Sequence, residues 1–166
     1  GIVDAIFFNQ GQVCCGGSRA IVQEDVYPRF LQKLKKRLDT WRVGHSLEKD
    51  IDMGAVVDES QYKTIKSFCD AAEKEGCDVY YAPKPVPQEG YYWPPTIISN
   101  VQQSSEVVRE EIFGPVVTVQ TFRTMEEAIN LANNSKFGLG GSVWTENLSL
   151  ALETATNIKS GAIWVN

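Results

Sequence analysis

The sequence predicts an α/β protein built on a largely parallel sheet that helices cover. From residue 116 onwards, short apolar runs alternate with stretches of helical period, which gives the order β-α-β-α-β and a last helix ending at Gly161. These segments are VVTVQTF, MEEAINLANNS, GGSVWTE, LSLALETATNIKSG and AIWVN. Consecutive strands joined through a helix run parallel and require helices on the sheet faces. The 166 residues are 43% hydrophobic, so one domain with a sizeable core is expected over residues 1–166.

The first part of the chain is predicted to form a helix, a strand and a second helix. Residues 2–10 are expected to be helical, with Gly11 as the stop signal. Residues 18–24 alternate like a strand, and residues 24–41 have the period of a helix. The apolar residues on one face of this helix are Val26, Phe30, Leu34 and Leu38. Residues 43–57 show no regular period and are predicted to form a loop.

The middle of the chain opens with a second strong helix signal. Asp58 is suited to cap this helix and Gly76 to end it. Its apolar stripe comprises Tyr62, Ile65, Phe68, Cys69 and Ala72. Residues 77–82 follow as a strand, and residues 83–90, with three prolines, form an exposed loop.

Two local features of the sequence, a proline pair and a helix cap, predict the structure on either side of residue 116. Residues 91–99 are predicted to be extended, and Pro94 and Pro95 are expected to keep them at an edge or out of the sheet interior, because proline donates no ladder hydrogen bond. Thr124 is predicted to cap the next helix, with Glu127 completing a capping box.

Charge and composition argue against several function classes. The net charge of −5 is unfavourable for a nucleic-acid or anionic-membrane surface, which needs clustered Lys and Arg. The one basic cluster, residues 33–37, falls in an amphipathic helix and is interpreted as its solvated face. No signal peptide or long apolar run is present, so no membrane segment is predicted.

The four cysteines indicate free thiols. Their spacing matches no zinc pattern, and the only histidine is His45, so no metal site is predicted. Cys14 and Cys15 are too close for an ordinary disulfide. Free thiols favour a reducing compartment, and we expect a cytoplasmic protein. Because the chain lacks an initial methionine and ends within a strand-like run, we interpret it as a piece of a longer protein.

The stretch FFNQGQVCCGG, residues 7–17, is the first candidate for chemistry. A cysteine thiolate is a nucleophile, and backbone N–H groups of a glycine-rich bend can stabilise both the thiolate and an oxyanion at the attacked carbon. Cys14 is therefore a candidate nucleophile. The alternative is that Cys14 and Cys15 are simply small buried apolar residues. A Cys14–His45 dyad remains open, although nothing in the sequence connects the two.

The second candidate is REEIFGPVV, residues 109–117. Glu110 and Glu111 point in different directions if the backbone is extended, so one could accept bonds from sugar hydroxyls. Phe113 offers a flat face to an aromatic ring. The alternative is a charged loop with one buried phenylalanine.

Taken together, FFNQGQVCCGGSR and EEIFGPVV resemble two landmarks of the aldehyde dehydrogenase superfamily. Further similar stretches follow in the family's order over essentially the whole chain: DESQYKTI, FRTMEEAINLANNSKFGLGGSVWT and GAIWVN. The resemblance implies the cysteine-bearing catalytic domain of that fold. The stretch from Thr121 to Ala155 resembles the family-16 branch, in which enzymatic status varies.

The resemblance implies a role for individual residues. Cys14 matches the reactive cysteine, and Val13 and Cys15 would flank the aldehyde pocket. Three further positions match cofactor contacts: Glu111 and Gln61 would hold the nicotinamide ribose, and Phe113 would border the nicotinamide ring of NAD or NADP. The family often has a lysine three residues after Gln61, where this chain has Thr64.

The reaction implied by the resemblance is oxidation of a small-molecule aldehyde to a carboxylic acid through a thiohemiacetal and a thioester on Cys14. The family's general-base glutamate, oxyanion-hole asparagine and dinucleotide-binding half find no match in these residues, so the chain alone is expected to be inactive. The parent protein is expected to be a homo-oligomer. Two alternatives stay open: a non-enzymatic scaffold of the same fold, and a relative that passes the thioester to coenzyme A.

Overall fold

The computed structural model describes residues 1–166 and contains six α-helices and six strands. The helices are α1 (Ile2–Phe7), α2 (Tyr27–Leu38), α3 (Glu59–Lys74), α4 (Glu106–Arg109), α5 (Met125–Asn133) and α6 (Leu148–Asn157). The strands are β1 (Arg19–Gln23), β2 (Asp78–Tyr81), β3 (Thr96–Ser99), β4 (Val116–Phe122), β5 (Gly140–Val143) and β6 (Ala162–Val165).

The strands form a mixed four-stranded sheet and a separate parallel pair. In the larger sheet the order is β1-β4-β3-β2, with β4 parallel to both β1 and β3 and with β2 antiparallel to β3. The smaller sheet pairs β5 with β6 in parallel through the crossover helix α6. The predicted α/β class with a parallel-dominated sheet is confirmed. The alternation after residue 116 is divided between two sheets, because β5 pairs with β6 and not with β4.

The larger sheet has a hydrophobic core on each face. One core joins β3 and β4 to α1 and α2 and is centred on Phe7, Leu38, Ile97 and Val117. The other packs α3 and α4 against the opposite face, through Ile65, Cys69, Ile98, Val108 and Val116. Each fully buried side chain of this size stabilises the fold by about 1.5–3 kcal/mol. The loops that leave the sheet therefore start from a rigid base.

The predicted position of residues 91–99 is wrong in one respect. Strand β3 lies in the interior of the larger sheet, between β4 and β2. Pro94 and Pro95 do not prevent this because both precede the strand, whose first residue, Thr96, donates its N–H to the carbonyl of Pro115 at 2.9 Å. The proline rule applies to residues inside a strand and not to those before it.

Two predicted helix ends are also wrong. Helix α1 ends at Phe7, and a short 3₁₀ stretch, Phe8–Gly11, continues to Gly11 but contains left-handed backbone angles at Asn9 and Gln10, so the α-helix itself does not reach Gly11. Helix α6 ends at Asn157, since Ile158 is extended, with ψ of 127°. Gly161 instead begins the approach to β6, and its N–H donates to the carbonyl of Gly138 at 2.8 Å.

The predicted helix caps are largely confirmed. The Asp58 carboxylate accepts from the N–H of Gln61 at 2.8 Å, and the Thr124 hydroxyl accepts from the N–H of Glu127 at 3.2 Å. The capping box is incomplete, because the Glu127 carboxylate accepts from the N–H of Arg123 and not from that of Thr124. Val26 precedes α2 and is 41% exposed, so it does not share the buried face of that helix.

None of the six helices combines the length and apolar character that crossing a membrane requires. No group of three His, Cys, Asp or Glu side chains is arranged to hold a metal ion.

Candidate active site

The candidate nucleophile lies on a tight exposed bend, residues 13–17, which we call the cysteine turn. The carbonyl of Val13 accepts from the N–H of Gly16 at 2.9 Å, which closes the bend around Cys14 and Cys15. Both thiols are free and exposed. The backbone N–H of Cys14 donates to no acceptor in the chain, so it is available to an oxyanion that forms beside the sulfur.

The cysteine turn is supported by an unusual backbone run. Phe7, fully buried, anchors the end of α1, and Asn9, Gln10 and Gly11 then all have positive φ, at 50°, 59° and 70°. Left-handed angles are unfavourable for residues with a Cβ, by about 1–2 kcal/mol each. The Asn9 amide donates to the carbonyl of Gln12 at 3.1 Å and stabilises the run.

The two landmark segments touch at a pair of glycines. A Cβ placed on Gly11 would lie 2.0 Å from the carbonyl oxygen of Gly114 and 2.4 Å from its carbonyl carbon. Only a residue without a side chain permits this approach. The contact holds the backbone that leads into the cysteine turn against residues 111–114, which we call the EIFG segment.

The EIFG segment presents two exposed side chains from a buried base. Ile112 is buried, whereas Glu111 and Phe113 on either side of it are exposed. The Glu111 carboxylate makes no ion pair, while the neighbouring Glu110 pairs with the Lys136 ammonium at 2.6 Å. The two glutamates thus have different environments, as the extended backbone predicts, and Glu111 is the one free to accept hydroxyl groups.

Gln61 contacts the EIFG segment directly. Its Nε2 donates to the carbonyls of Ile112 and Phe113 at 2.9 and 2.8 Å, so only its Oε1 is left for a ligand. The Thr64 hydroxyl donates to the carbonyl of Ser60 at 3.0 Å, within its own helix. Thr64 occupies the position where the family often has a lysine, and its hydroxyl is engaged in a hydrogen bond to the backbone of α3.

The remaining thiols are poorly suited to nucleophilic chemistry. Burial raises the pKa of Cys69 to about 12, and Cys69 is fully buried on the inner face of α3. Burial also raises the pKa of the half-buried Cys77. His45 is exposed in the loop after Val43, and its Nδ1 accepts from the N–H of Leu47 at 3.3 Å, so no bond connects it to Cys14.

Three residues that the sequence did not single out also shape the site. The Gln12 carboxamide oxygen accepts from the N–H of Val57 at 3.0 Å and connects the cysteine segment to the start of α3. Gly140 on β5 packs against Cys15, since a Cβ added there would lie 3.2 Å from the Cβ of Cys15. Lys136 anchors Glu110. No local pattern distinguishes these residues, because each acts through a partner remote in sequence.

Sequence comparisons find relatives over the whole chain. The model of the aldehyde dehydrogenase family matches residues 1–166. Aldehyde dehydrogenase B of Escherichia coli is 43% identical over 164 residues, covering 96% of this chain and 32% of the relative. The mitochondrial aldehyde dehydrogenase of Sus scrofa is 38% identical over 162 residues, covering 98% of this chain and 31% of the relative. The chain thus spans about a third of the length of the curated relatives it matches.

Solved structures share the fold closely. A betaine aldehyde dehydrogenase from Staphylococcus aureus, solved in complex with NAD+, superposes with a TM-score of 0.95 at 36% identity, covering 99% of this chain and 33% of that one. An indole-3-acetaldehyde dehydrogenase, also complexed with NAD+, gives a TM-score of 0.94 at 42% identity, with 99% and 34% of the two chains covered.

Proposed function

Since the chain belongs to the aldehyde dehydrogenase family, we propose that residues 1–166 are the cysteine-bearing catalytic domain of an NAD(P)+-dependent enzyme that oxidises a small-molecule aldehyde to a carboxylic acid. The observation that carries the proposal is the contact between Gly11 and Gly114. It brings the backbone three residues before an exposed thiol against a segment that presents a free carboxylate and an exposed aromatic ring.

The residues of the EIFG segment fit a nicotinamide nucleotide. Glu111 is an exposed carboxylate without a partner, and a carboxylate accepts hydrogen bonds from ribose hydroxyls well. Phe113 is 37% exposed and can pack beside a flat heterocycle. The Oε1 of Gln61 remains free for the same ribose. When bound, NAD(P)+ supplies the hydride acceptor.

The cysteine turn carries the covalent chemistry. The Cys14 thiolate attacks the aldehyde carbon, the C–S bond forms, and the carbonyl oxygen becomes the oxyanion of a thiohemiacetal. The free N–H of Cys14 donates to that oxyanion. Loss of hydride from the same carbon gives a thioester, which water hydrolyses to the acid and the free thiol. Covalent catalysis divides one difficult step into two easier ones. Val13 and Cys15 flank the attacked carbon.

The scaffold alternative is disfavoured by the same geometry. A scaffold has no need for an accessible cysteine beside an unpaired carboxylate and an exposed ring, whereas catalysis needs all three. Transfer of the thioester to coenzyme A remains the alternative within the enzyme class, and a general-base glutamate in the full-length protein would decide against it.

We also propose a cytoplasmic homo-oligomer for the whole protein. The four free thiols suit a reducing compartment. Large apolar side chains are exposed on β5, α6 and β6 and nearby, including Leu148 at 68%, Trp144 at 55% and Trp164 at 51%. Large exposed apolar side chains on neighbouring elements are typical of a surface that other protein covers.

Alkylation tests the assignment of the nucleophile. With a pKa of about 12, Cys69 has a thiolate on the order of a thousandfold rarer than an ordinary thiol at neutral pH, and burial blocks the reagent as well. Limiting iodoacetamide followed by peptide mass spectrometry is expected to place the label on the Cys14–Cys15 peptide. Cys14→Ser should remove most of that label and Cys15→Ser little of it. Preferential labelling of Cys69 or Cys77 contradicts the assignment.

A turnover assay tests whether residues 1–166 can oxidise an aldehyde without the dinucleotide-binding half. The chain contains the proposed nucleophile, but the family's dinucleotide-binding half has no match among its residues. We therefore expect the purified 166-residue chain with acetaldehyde and NAD+ to produce no NADH above the uncatalysed rate. A full-length protein that carries these residues should produce it. NADH formation by the chain alone would show that the domain assignment is wrong.

A further inference from the structure

Gln61 is the only group that donates to the backbone of the EIFG segment at Ile112 and Phe113. Its Nε2 lies 2.9 Å from the first carbonyl oxygen and 2.8 Å from the second. No backbone N–H or other side chain donates to either oxygen. All hydrogen bonding to these two carbonyls within the chain therefore comes from one carboxamide nitrogen.

Phe113 needs this support because its backbone is unfavourable. Its φ of 53° lies in the left-handed region, which a bulky residue adopts only when its surroundings enforce it. The next residue, Gly114, packs against Ile65, since a Cβ added to Gly114 would lie 2.5 Å from the Cδ1 of Ile65. Ile65 follows Gln61 by one turn of α3, so both residues press on the segment from the same face of the helix.

Gln61 itself is firmly placed. It lies in the first turn of α3, and its own N–H donates to the capping carboxylate of Asp58 at 2.8 Å. The side chain is half-buried and extends from this fixed point to the EIFG segment. Gln61 is therefore hydrogen-bonded on one side to the capping residue Asp58 and on the other side to the strained residue Phe113.

We propose that Gln61 is a positioning residue: its carboxamide nitrogen holds Phe113 in the left-handed conformation and so fixes where the Glu111 carboxylate and the Phe113 ring project. That this orientation serves a nicotinamide cofactor rests on the proposed function. The resemblance assigned Gln61 to ribose contact, a role that requires its oxygen. The positioning role requires its nitrogen, so the two roles can be separated by substitution.

Limited chymotrypsin digestion measures the positioning role without cofactor or turnover. Cleavage after Phe113 attacks the carbonyl that Gln61 holds, whereas Phe137, also exposed and followed by glycine, has a carbonyl that accepts no hydrogen bond. Gln61→Glu keeps the acceptor and removes the donor. We expect it to raise the ratio of cleavage at Phe113–Gly114 to cleavage at Phe137–Gly138 by about tenfold, because lost hydrogen bonds favour local opening.

Two further variants complete the test. Gln61→Lys keeps a donor and removes the acceptor, and is expected to leave the cleavage ratio near that of the unsubstituted chain. Gln32→Glu makes the same charge change on the exposed face of α2 and should have no effect. An unchanged ratio in Gln61→Glu overturns the proposal. So does an equal rise at both bonds, since that indicates loss of global stability instead of local release. A failed dehydrogenase assay would leave this result unaffected.

Discussion

Replacing Gly11 with alanine is expected to destabilise the protein by about 3–5 kcal/mol, a large effect for a single methyl group. The new Cβ would stand 2.0 Å from the carbonyl oxygen of Gly114, and neither backbone can move without disturbing its landmark segment. The residue would also have to adopt a φ of 70°. Urea unfolding followed by tryptophan fluorescence measures the change in the free energy of unfolding.

Gly76→Ala provides the matched control for the Gly11 substitution. Gly76 has a similar φ of 80°, but nothing lies within 4 Å of the Cβ that alanine would add. Its replacement should therefore cost only the backbone strain of about 1–2 kcal/mol. The difference between the two variants isolates the collision with Gly114. Equal losses in both would mean that Gly11 and Gly114 are not in close contact, and the proposed link between the two segments would fail.

The second large effect concerns Cys14. In a full-length protein that carries these residues, Cys14→Ala is expected to lower kcat/KM for aldehyde oxidation by at least about a thousandfold, because the thiol proposed to form the thioester is lost. Cys69 is buried with a raised pKa, so it cannot substitute for the missing thiol. The rate of NADH formation, together with an unchanged unfolding transition, measures the effect.

Cys15→Ala serves as the control for the nucleophile. Cys15 is also exposed and lies on the same turn, but it packs towards Gly140. We expect kcat/KM to fall by less than about tenfold, since only a pocket wall changes. If Cys15→Ala is the inactive variant and Cys14→Ala retains activity, the assignment made from the motif is off by one position.

Several elements could be predicted from local sequence alone. The cap at Asp58, the end of α3 near Gly76 and the strand β4 all follow from short-range preferences, and the structure has them where they were expected. The family was also correctly predicted, because two landmark motifs occur in order. Two of the wrong predictions have a deciding partner that is distant in sequence: β3 is interior because of its pairing with β4, and β5 leaves the larger sheet to pair with β6. The two wrong helix ends have a local cause, because the backbone at Asn9, Gln10 and Ile158 departs from helical angles.

By itself, the sequence determined the α/β class, the family and the candidate residues Cys14, Glu111 and Phe113, because residue type and short-range order encode these properties. Only the tertiary structure decided that Gly11 meets Gly114 and that the Gln61 nitrogen holds the EIFG backbone. The two Gln61 hydrogen bonds join residues 51 and 52 positions apart. Local sequence preferences carry no information about contacts between residues so far apart. The physical reason is that close approach and hydrogen bonding depend on how helices and sheet pack, which the whole chain determines together.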